Sequence, residues 1–466
     1  MATNALIKAM NSSPAVAQTA NGAATNFSSL KKTLDFFFLA GSSRGKNIAP
    51  QFGAALAEDR DVAARTLLWT RDARGGAGER AQFRTLLDYL ANDDSRLAAR
   101  LLKRVPELGR WDDLVHFVSH AKLGELARDL IAQGLKAKDG LAAKWAPRKG
   151  EAARMLREHM GLSPKRYRKL VVNLSNTVEQ AMCSGNWNRI EYGKVPSVAA
   201  ARYQAAFARH DPKGYEKYRA GLEKGTEKIN AGAIFPYDVV KSMRNGDAAV
   251  ANAQWNALPN YMEGSNERIL PVVDVSGSMG CQVSEGTTAL DVAVSLGLYI
   301  SQRNTGPYQD FFITFSGRPE LQLLKGTLKQ RYEQLCRSQW DMNTDIEAVF
   351  SLILNSALRD RVPQNEMPTK ILILSDMEFD CVRGGRGSTI YQDMQRKFAM
   401  AGYTLPTVIF WNLNGRMGNF PVTHDQNGTA MVSGFSPSIL TSLLGGKEFN
   451  PVNVMLDTVM KDRYAF

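Results

Sequence analysis

Apolar residues recur at three- and four-residue spacing across residues 30–243, with few β-branched runs and with breaks at glycine and proline. This spacing is typical of amphipathic α-helices. It is clearest in residues 61–69, 79–91, 97–105 and 123–135. Because these segments are short and joined by brief loops, they predict stacked helical pairs of the solenoid, HEAT-like type. No fixed period repeats along the sequence, so an unrepetitive all-α bundle remains the alternative.

The pattern changes near residue 269 to nearly continuous apolar runs that alternate with helical ones. The strand-like runs are residues 269–274, 310–315, 369–375 and 405–411. The segments with helical spacing between them are residues 289–302, 345–358 and 391–400. Such alternation predicts a parallel sheet covered on both faces by helices, which is a doubly wound α/β domain. In these sheets, ligands bind at the carboxyl ends of the strands.

These two patterns divide the chain into three parts. We assign residues 1–29 to a flexible N-terminal segment, residues 30–262 to the all-α domain and residues 263–466 to the α/β domain. The predicted fold class is therefore α + α/β. No apolar run reaches the roughly eighteen residues of a membrane span, and the first residues lack a signal-peptide pattern. The four cysteines stand far apart and form no C-x-x-C pair, which is simplest to explain by a reducing compartment. Together these features lead us to expect a cytoplasmic protein without a membrane partner.

The positive charge of the chain is concentrated in its first part. Residues 1–250 hold 40 lysines and arginines against 25 aspartates and glutamates, whereas residues 251–466 hold 18 against 21. A basic part of this kind is typical of a surface that contacts phosphates. The alternative is a basic surface that only aids solubility.

Hydroxyl and carboxylate side chains follow the predicted strands at the edge where ligands bind. Asp274, Ser276 and Ser278 form a D-x-S-x-S sequence directly after the first strand. Thr344 precedes a predicted helix, and Asp376 follows the strand at residues 369–375. The alternative is that these residues only cap helices and form a turn.

This ordered set resembles the metal-ion-dependent adhesion site of von Willebrand factor A domains. The resemblance implies a hard cation, Mg²⁺ or else Mn²⁺ or Ca²⁺, held by oxygen ligands. The hydroxyls would come from Ser276, Ser278 and Thr344, and the charge from Asp274 and Asp376, directly or through water. An open coordination position would accept a carboxylate from a protein partner, which is binding and not catalysis.

Several longer runs are similar to those of a Ro-related family of TROVE proteins, in which a helical-repeat half precedes an A domain. The runs lie at residues 71–80, 109–114, 143–147, 274–279, 343–345, 374–380 and 410–413. In Ro proteins the repeats close into a ring, which takes single-stranded ends of misfolded RNA, and a basic outer surface holds structured RNA. The resemblance therefore implies an RNA-binding scaffold of ribonucleoprotein type.

Three basic stretches are candidate RNA contacts. The first surrounds a glycine-rich turn, and the other two interleave aromatic and basic residues, as surfaces that stack bases do. The candidates are Arg71, Arg74, Arg80, Lys144, Arg148, Lys149, Arg166, Arg168 and Lys169. The alternatives are a closely packed interhelical turn, with arginines paired to Asp72 and Glu79, and a solvated charged face.

We therefore expect a non-enzymatic RNA-binding scaffold whose A domain binds a protein partner through Mg²⁺. The alternative is a metal-dependent protein-interaction adaptor that does not bind RNA. A nuclease is the third hypothesis, and it is disfavoured because two-metal phosphoryl chemistry needs more clustered carboxylates than Asp274 and Asp376 provide.

Overall fold

The helices and strands of the chain were assigned from a computed structural model that describes residues 16–175, 177–314, 318–337, 344–380, 389–444 and 449–466. The first part contains strands β1 (Val16–Gln18) and β2 (Ala24–Asn26) and helices α1 (Lys32–Ala40), α2 (Ala49–Glu58), α3 (Arg60–Arg71), α4 (Arg80–Asp93), α5 (Ser95–Lys103), α6 (Val105–Leu108), α7 (Trp111–Phe117), α8 (Gly124–Lys136), α9 (Gly140–Trp145), α10 (Gly150–His159), α11 (Pro164–Leu174), α12 (Val178–Cys183), α13 (Ser197–Arg202), α14 (Gln204–His210), α15 (Pro212–Glu223), α16 (Pro236–Asn245) and α17 (Ala248–Asn256).

The second part alternates strands and helices from residue 269 onward. It contains β3 (Ile269–Val273), β4 (Gln282–Ser284), β5 (Thr287–Thr288), α18 (Ala289–Arg303), β6 (Phe311–Thr314), β7 (Leu321–Leu323), α19 (Leu328–Arg337), α20 (Ile346–Asp360), β8 (Lys370–Ser375), α21 (Ile390–Met400), β9 (Thr407–Asn412), β10 (Thr429–Ser433), α22 (Leu440–Leu443) and α23 (Pro451–Val459). The predicted order, helices first and a helix-flanked sheet second, is confirmed.

The helices form where apolar spacing and caps coincide. In α5, Leu97, Ala98, Leu101 and Leu102 are buried, and the Asp94 side chain accepts hydrogen bonds from the first free N–H groups. Such a cap is worth about 1 kcal/mol. The four segments with the clearest helical spacing coincide with observed helices, α3, α4, α5 and α8, to within two residues at each end.

The six-stranded sheet has the order β10-β9-β8-β3-β6-β7. The prediction of an all-parallel sheet is wrong at one edge, because β7 pairs antiparallel with β6 while the other neighbours are parallel. The central strands β3 and β8 are buried at every position. The short strand β7 is partly exposed, because it lies at the edge of the sheet and not in its centre.

The chain folds as two compact units that do not follow the linear division. One unit comprises residues 1–66, 235–240 and 260–463, and the other residues 67–234, 241–259 and 464–466. Helix α1 thus belongs to the unit that holds the sheet, where it packs against β10.

The side chains of α1 explain this placement. Phe36, Phe37 and Phe38 are consecutive, so they point in three directions, and all three are fully buried. A helix that is apolar all round needs cover on every side. Gly41 ends α1 so close to β10 that an added Cβ would lie 2.7 Å from the carbonyl oxygen of Ser433.

The N-terminal segment is described from residue 16 onward, and residues 1–15 lie outside the described part. Strands β1 and β2 form an antiparallel hairpin. The hairpin bonds to loops of the sheet unit, since Asn26 N donates to Phe420 O and Thr19 Oγ1 donates to Phe379 O. Short polar residues of the hairpin thus supply hydrogen bonds over long sequence separations.

No helix within the described ranges is both long and apolar enough to cross a membrane.

Candidate metal site and basic surface

The loop after β3 carries the first half of the candidate metal site. Asp274 follows the strand and is fully buried, and its N–H donates to Leu374 O of the neighbouring strand. One carboxylate oxygen, Oδ1, accepts from Ser276 N at 2.9 Å, and Oδ2 accepts from Ser375 Oγ at 2.5 Å. The turn that the alternative interpretation predicts is therefore present, but it holds the buried carboxylate of Asp274 at the ends of the strands.

Asp376 reaches the same point from β8. Strands β3 and β8 are neighbours with Val273 paired to Leu374, so the residues that follow each strand meet at one edge. Ser278 Oγ donates to Asp376 Oδ1 at 3.3 Å and lies 3.1 Å from Ser276 Oγ. The structure thus brings Asp274, Ser276, Ser278 and Asp376 into one hydrogen-bonded cluster.

Thr344 is attached to this edge through its backbone. Its N–H donates to Asp380 Oδ2 at 2.8 Å, and its carbonyl accepts from Asp380 N. The Thr344 hydroxyl is buried and has no hydrogen-bond partner among the described residues. The helix cap belongs to Asp345, whose side chain accepts from Ala348 N. Residue Asn343, which belongs to the same motif, lies outside the described ranges.

The two carboxylates of the cluster are held in a costly state. Burial, with the nearby Asp376 charge, raises the pKa of Asp274 to about 6. Burial also raises the pKa of Asp376, although the Arg416 guanidinium opposes this rise. A group whose charged form is destabilised in this way gains most from a bound cation.

Sequence reasoning missed two basic residues at this edge. Arg416, in the loop after β9, places Nη2 3.1 Å from Asp376 Oδ2 and Nε 3.3 Å from Glu378 Oε1. Lys46 Nζ donates to Gly415 O at 2.6 Å, and burial beside Arg416 lowers its pKa. The strand order is the signal that would have added the loop after β9 to the predicted site, because β9 lies beside β8.

The donor set fits a hard divalent cation. Mg²⁺ prefers octahedral oxygen ligands at 2.0–2.1 Å, so adjacent ligands lie about 3 Å apart. The 3.1 Å between Ser276 Oγ and Ser278 Oγ matches that spacing. The buried Thr344 hydroxyl offers a further oxygen that the described residues leave unpaired. The described ranges contain no group of three or more His, Cys, Asp or Glu residues arranged to hold a metal ion, and a set based on hydroxyls would not form such a group.

Arg71 does not lie at a surface, so its prediction as an RNA contact is wrong. Its side chain is 2 % exposed and pairs with the fully buried Asp113, at 2.6 Å from Nη2 to Oδ2. The same aspartate binds Arg84 and accepts from Arg110 N. The Arg71 side chain therefore joins α3 to α7 inside the helical unit.

The glycine-rich turn beside Arg71 is also closely packed. An added Cβ on Gly76 would lie 2.0 Å from the carbonyl oxygen of Trp69. Arg74 and Arg80 are exposed, and Arg80 Nη1 lies 3.2 Å from Asp112 Oδ2. The interpretation as a packed interhelical turn therefore accounts for the glycines, and two of the arginines, Arg71 and Arg80, pair with Asp113 and Asp112.

The other two basic stretches lie beside each other. Tyr167 of α11 is buried, and its hydroxyl donates to Pro147 O at 2.9 Å, which fixes α11 against the end of α9. Tyr167 is therefore not a stacking platform, and burial raises its pKa to about 12. Lys144 pairs with Glu179 at 3.0 Å, and Arg148 Nη2 donates to Ser175 Oγ at 3.1 Å.

The exposed cations around this contact form one patch, which we call the α11 basic surface. Its members are exposed and make no ion pair within the described part of the chain. They are Lys149, Lys165, Arg166, Arg168 and Lys169. Lys165 belongs to the same basic run of the sequence as Arg166, Arg168 and Lys169.

Comparisons with known proteins divide the chain near the start of β3. Residues 268–463 match a domain of unknown function, DUF7788, and this range contains the carboxylate and hydroxyl cluster. Residues 153–267 match another domain of unknown function, DUF2828, and this range contains α11. The chain is also 29% identical over 500 residues to uncharacterized protein L728 of Acanthamoeba polyphaga mimivirus. That similarity covers 94% of this chain and 86% of the viral protein.

Proposed function

We propose that the sheet unit binds a divalent cation, with Mg²⁺ as the expected ion, and uses it to hold a carboxylate of a protein partner. The observation that carries this proposal is the cluster of Asp274, Ser276, Ser278 and Asp376, with the buried and unpartnered hydroxyl of Thr344 at the same edge. The finer assignment of the sheet unit as a von Willebrand A-like domain is part of the proposal.

A count of charges supports metal-dependent binding of a carboxylate. Four carboxylates, from Asp274, Asp376, Glu378 and Asp380, lie at this edge with two cations, from Arg416 and Lys46. The edge therefore carries two net negative charges without a metal ion when all six groups are ionised. A divalent cation brings that charge to zero, so the site no longer repels a partner's carboxylate and the ion itself can attract it.

The ion would supply an electron-poor binding position. Ser276, Ser278 and Thr344 would hold it with neutral hydroxyls, while Asp274 and Asp376 supply charge. Because the set contains few carboxylates, the ion can accept a further carboxylate from a partner. This composition favours adhesion over hydrolysis, so we propose a protein that is not an enzyme.

A second function, RNA binding, rests on the α11 basic surface. Five exposed cations that make no ion pair with any described residue lie on and beside one helix, which is an arrangement that can neutralise successive phosphates. This proposal includes the Ro-like hypothesis, in which a HEAT-like repeat closes into a ring and the protein is part of a cytoplasmic ribonucleoprotein. The adaptor that binds protein alone is the competing function.

Thr344→Val tests the metal function, because valine keeps the shape of threonine and removes only the hydroxyl. Without a metal ion the variant should be as stable as the wild type, since that hydroxyl has no described protein partner. Its affinity for MgCl₂, measured by calorimetry, should fall about tenfold, which is 1.4 kcal/mol. A variant that binds MgCl₂ as tightly as the wild type would remove Thr344 from the site.

A titration of the full chain with a structured RNA that carries a single-stranded 3′ tail tests the RNA function. We expect affinity that falls steeply with salt, depends on the tail and ignores Mg²⁺. Absence of binding at low salt would leave the protein adaptor as the function.

A further inference from the structure

Arg416 occupies the position of a counter-ion at the candidate metal site. Its Nη2 lies 3.1 Å from Asp376 Oδ2, an oxygen of a side chain that is fully buried. The Arg416 side chain is 37% exposed, so the cluster is open to solvent on the side that this arginine occupies. It therefore neutralises one of the two carboxylates that a cation needs.

A second acceptor for Arg416 is fixed next to the first. Arg416 Nε lies 3.3 Å from Glu378 Oε1, and that oxygen also accepts from Asn419 Nδ2 at 3.1 Å. The other oxygen, Oε2, accepts from Ala20 N in the turn of the N-terminal hairpin. Glu378 is thus held from two sides and can keep Arg416 when Asp376 is taken by another cation.

We propose that Arg416 is a built-in competitor of the metal ion, held on both Asp376 and Glu378 when no ion is bound and kept by Glu378 alone when one binds. This inference rests on the proposed metal function. Arg416 would be a regulatory element of the same site, because any group that draws its guanidinium away from Asp376 would raise the affinity of the site for the ion.

The competition follows from charge alone. A divalent cation that approaches Asp376 must replace a charge-assisted hydrogen bond and is repelled by the guanidinium at short range. Removal of the Arg416 charge removes both costs. We expect Arg416→Gln to bind Mn²⁺ about tenfold more tightly than the wild type, or by 1.4 kcal/mol.

The experiment is a calorimetric titration of the full chain with MnCl₂ for the wild type and four variants. Arg416→Gln removes the charge, and Arg416→Lys keeps it and should bind Mn²⁺ within about threefold of the wild type, less than the tenfold change that 1.4 kcal/mol represents. Arg359→Gln removes a charge from the exposed pair of Arg359 with Asp360 and serves as the matched surface control. Asp274→Asn should abolish binding and identifies the site.

A second measurement separates competition from a structural role. Without metal, Arg416→Gln should unfold at a lower temperature than the wild type, because Asp376 and Glu378 lose their partner. Saturating MnCl₂ should stabilise this variant more than the wild type. A merely structural arginine would give a variant that is less stable and binds Mn²⁺ no better.

The outcomes are distinct. Tighter binding by Arg416→Gln, with the lysine variant and the surface control near the wild type, supports the inference. Unchanged or weaker binding by Arg416→Gln overturns it while the metal function stands, provided that the wild type binds and Asp274→Asn does not. Absence of binding in every variant up to about 10 mM MnCl₂, above the Kd of weak protein sites for Ca²⁺, overturns the metal function and the inference together.

Discussion

Replacing Asp274 by asparagine should stabilise the metal-free sheet unit and abolish its response to Mg²⁺. Asp274 is fully buried, and its pKa is raised from 3.8 to about 6. At 1.36 kcal/mol for each pKa unit, the ionised carboxylate lowers the free energy of unfolding by something on the order of 3 kcal/mol. Asparagine has a similar shape and carries no charge.

The sign of this effect follows from the direction of the pKa shift. A raised pKa in the folded state means that the protonated side chain favours folding, and this contribution is complete below about pH 4, the usual pKa of an aspartate. It is lost as the pH rises through about 6. The gain from Asp274→Asn is therefore expected at pH 7.5 and should disappear near pH 4.

One contact reduces the expected gain. Ser375 Oγ donates to Asp274 Oδ2 and accepts from Met377 N, so an asparagine amide at this position would offer the hydroxyl a second donor. A perturbed hydrogen bond of this kind costs about 1 kcal/mol. We expect a net stabilisation of about 2 kcal/mol at pH 7.5.

The assay is hydrogen exchange by mass spectrometry, because a chain of two compact units need not unfold in one step. Opening free energies are compared for the peptides that contain β3 and β8, with EDTA or with MgCl₂. With EDTA at pH 7.5 the variant should be the more protected protein, and with MgCl₂ only the wild type should gain protection. The reasoning is refuted if the variant is less stable at pH 7.5 without metal, or if MgCl₂ protects it as well as the wild type.

Two further predictions concern the helical unit. Arg71→Ala should destabilise that unit by about 2–3 kcal/mol, because Asp113 loses its buried cation and keeps only Arg84 and the N–H of Arg110, and urea unfolding would measure this loss. A variant that is as stable as the wild type but binds RNA more weakly would instead indicate that Arg71 contacts RNA. Joint replacement of Arg166, Arg168 and Lys169 by glutamine should preserve stability and reduce the salt slope of RNA binding by about 2, at roughly 0.7 for each phosphate contact. An unchanged slope would exclude the α11 basic surface.

Local spacing allowed the core of the candidate site to be predicted from the sequence. Asp274, Ser276 and Ser278 lie within five residues, so the strand before them determines where they point. Asp376 required one further step, which is that parallel strands end at the same edge. Arg416 required the order of the strands, because only the position of β9 beside β8 places its loop at Asp376.

The errors have a common physical origin in distant partners. Arg71 was predicted as a phosphate contact because it flanks a glycine-rich turn, but Asp113, 42 residues away, pairs with it in the interior. Helix α1 has helical spacing and was assigned to the helical half, yet its apolar residues on all sides require the cover that the sheet unit supplies. Local pattern identifies a helix or strand well and identifies what covers it poorly.

The central claim is that the cluster around Asp274 binds one divalent cation, and calorimetric titration of the full chain with MgCl₂ at pH 7.5 tests it most directly. The account predicts one ion bound for each wild-type chain and none for Asp274→Asn. Absence of binding by the wild type, or equal binding by the asparagine variant, would contradict it.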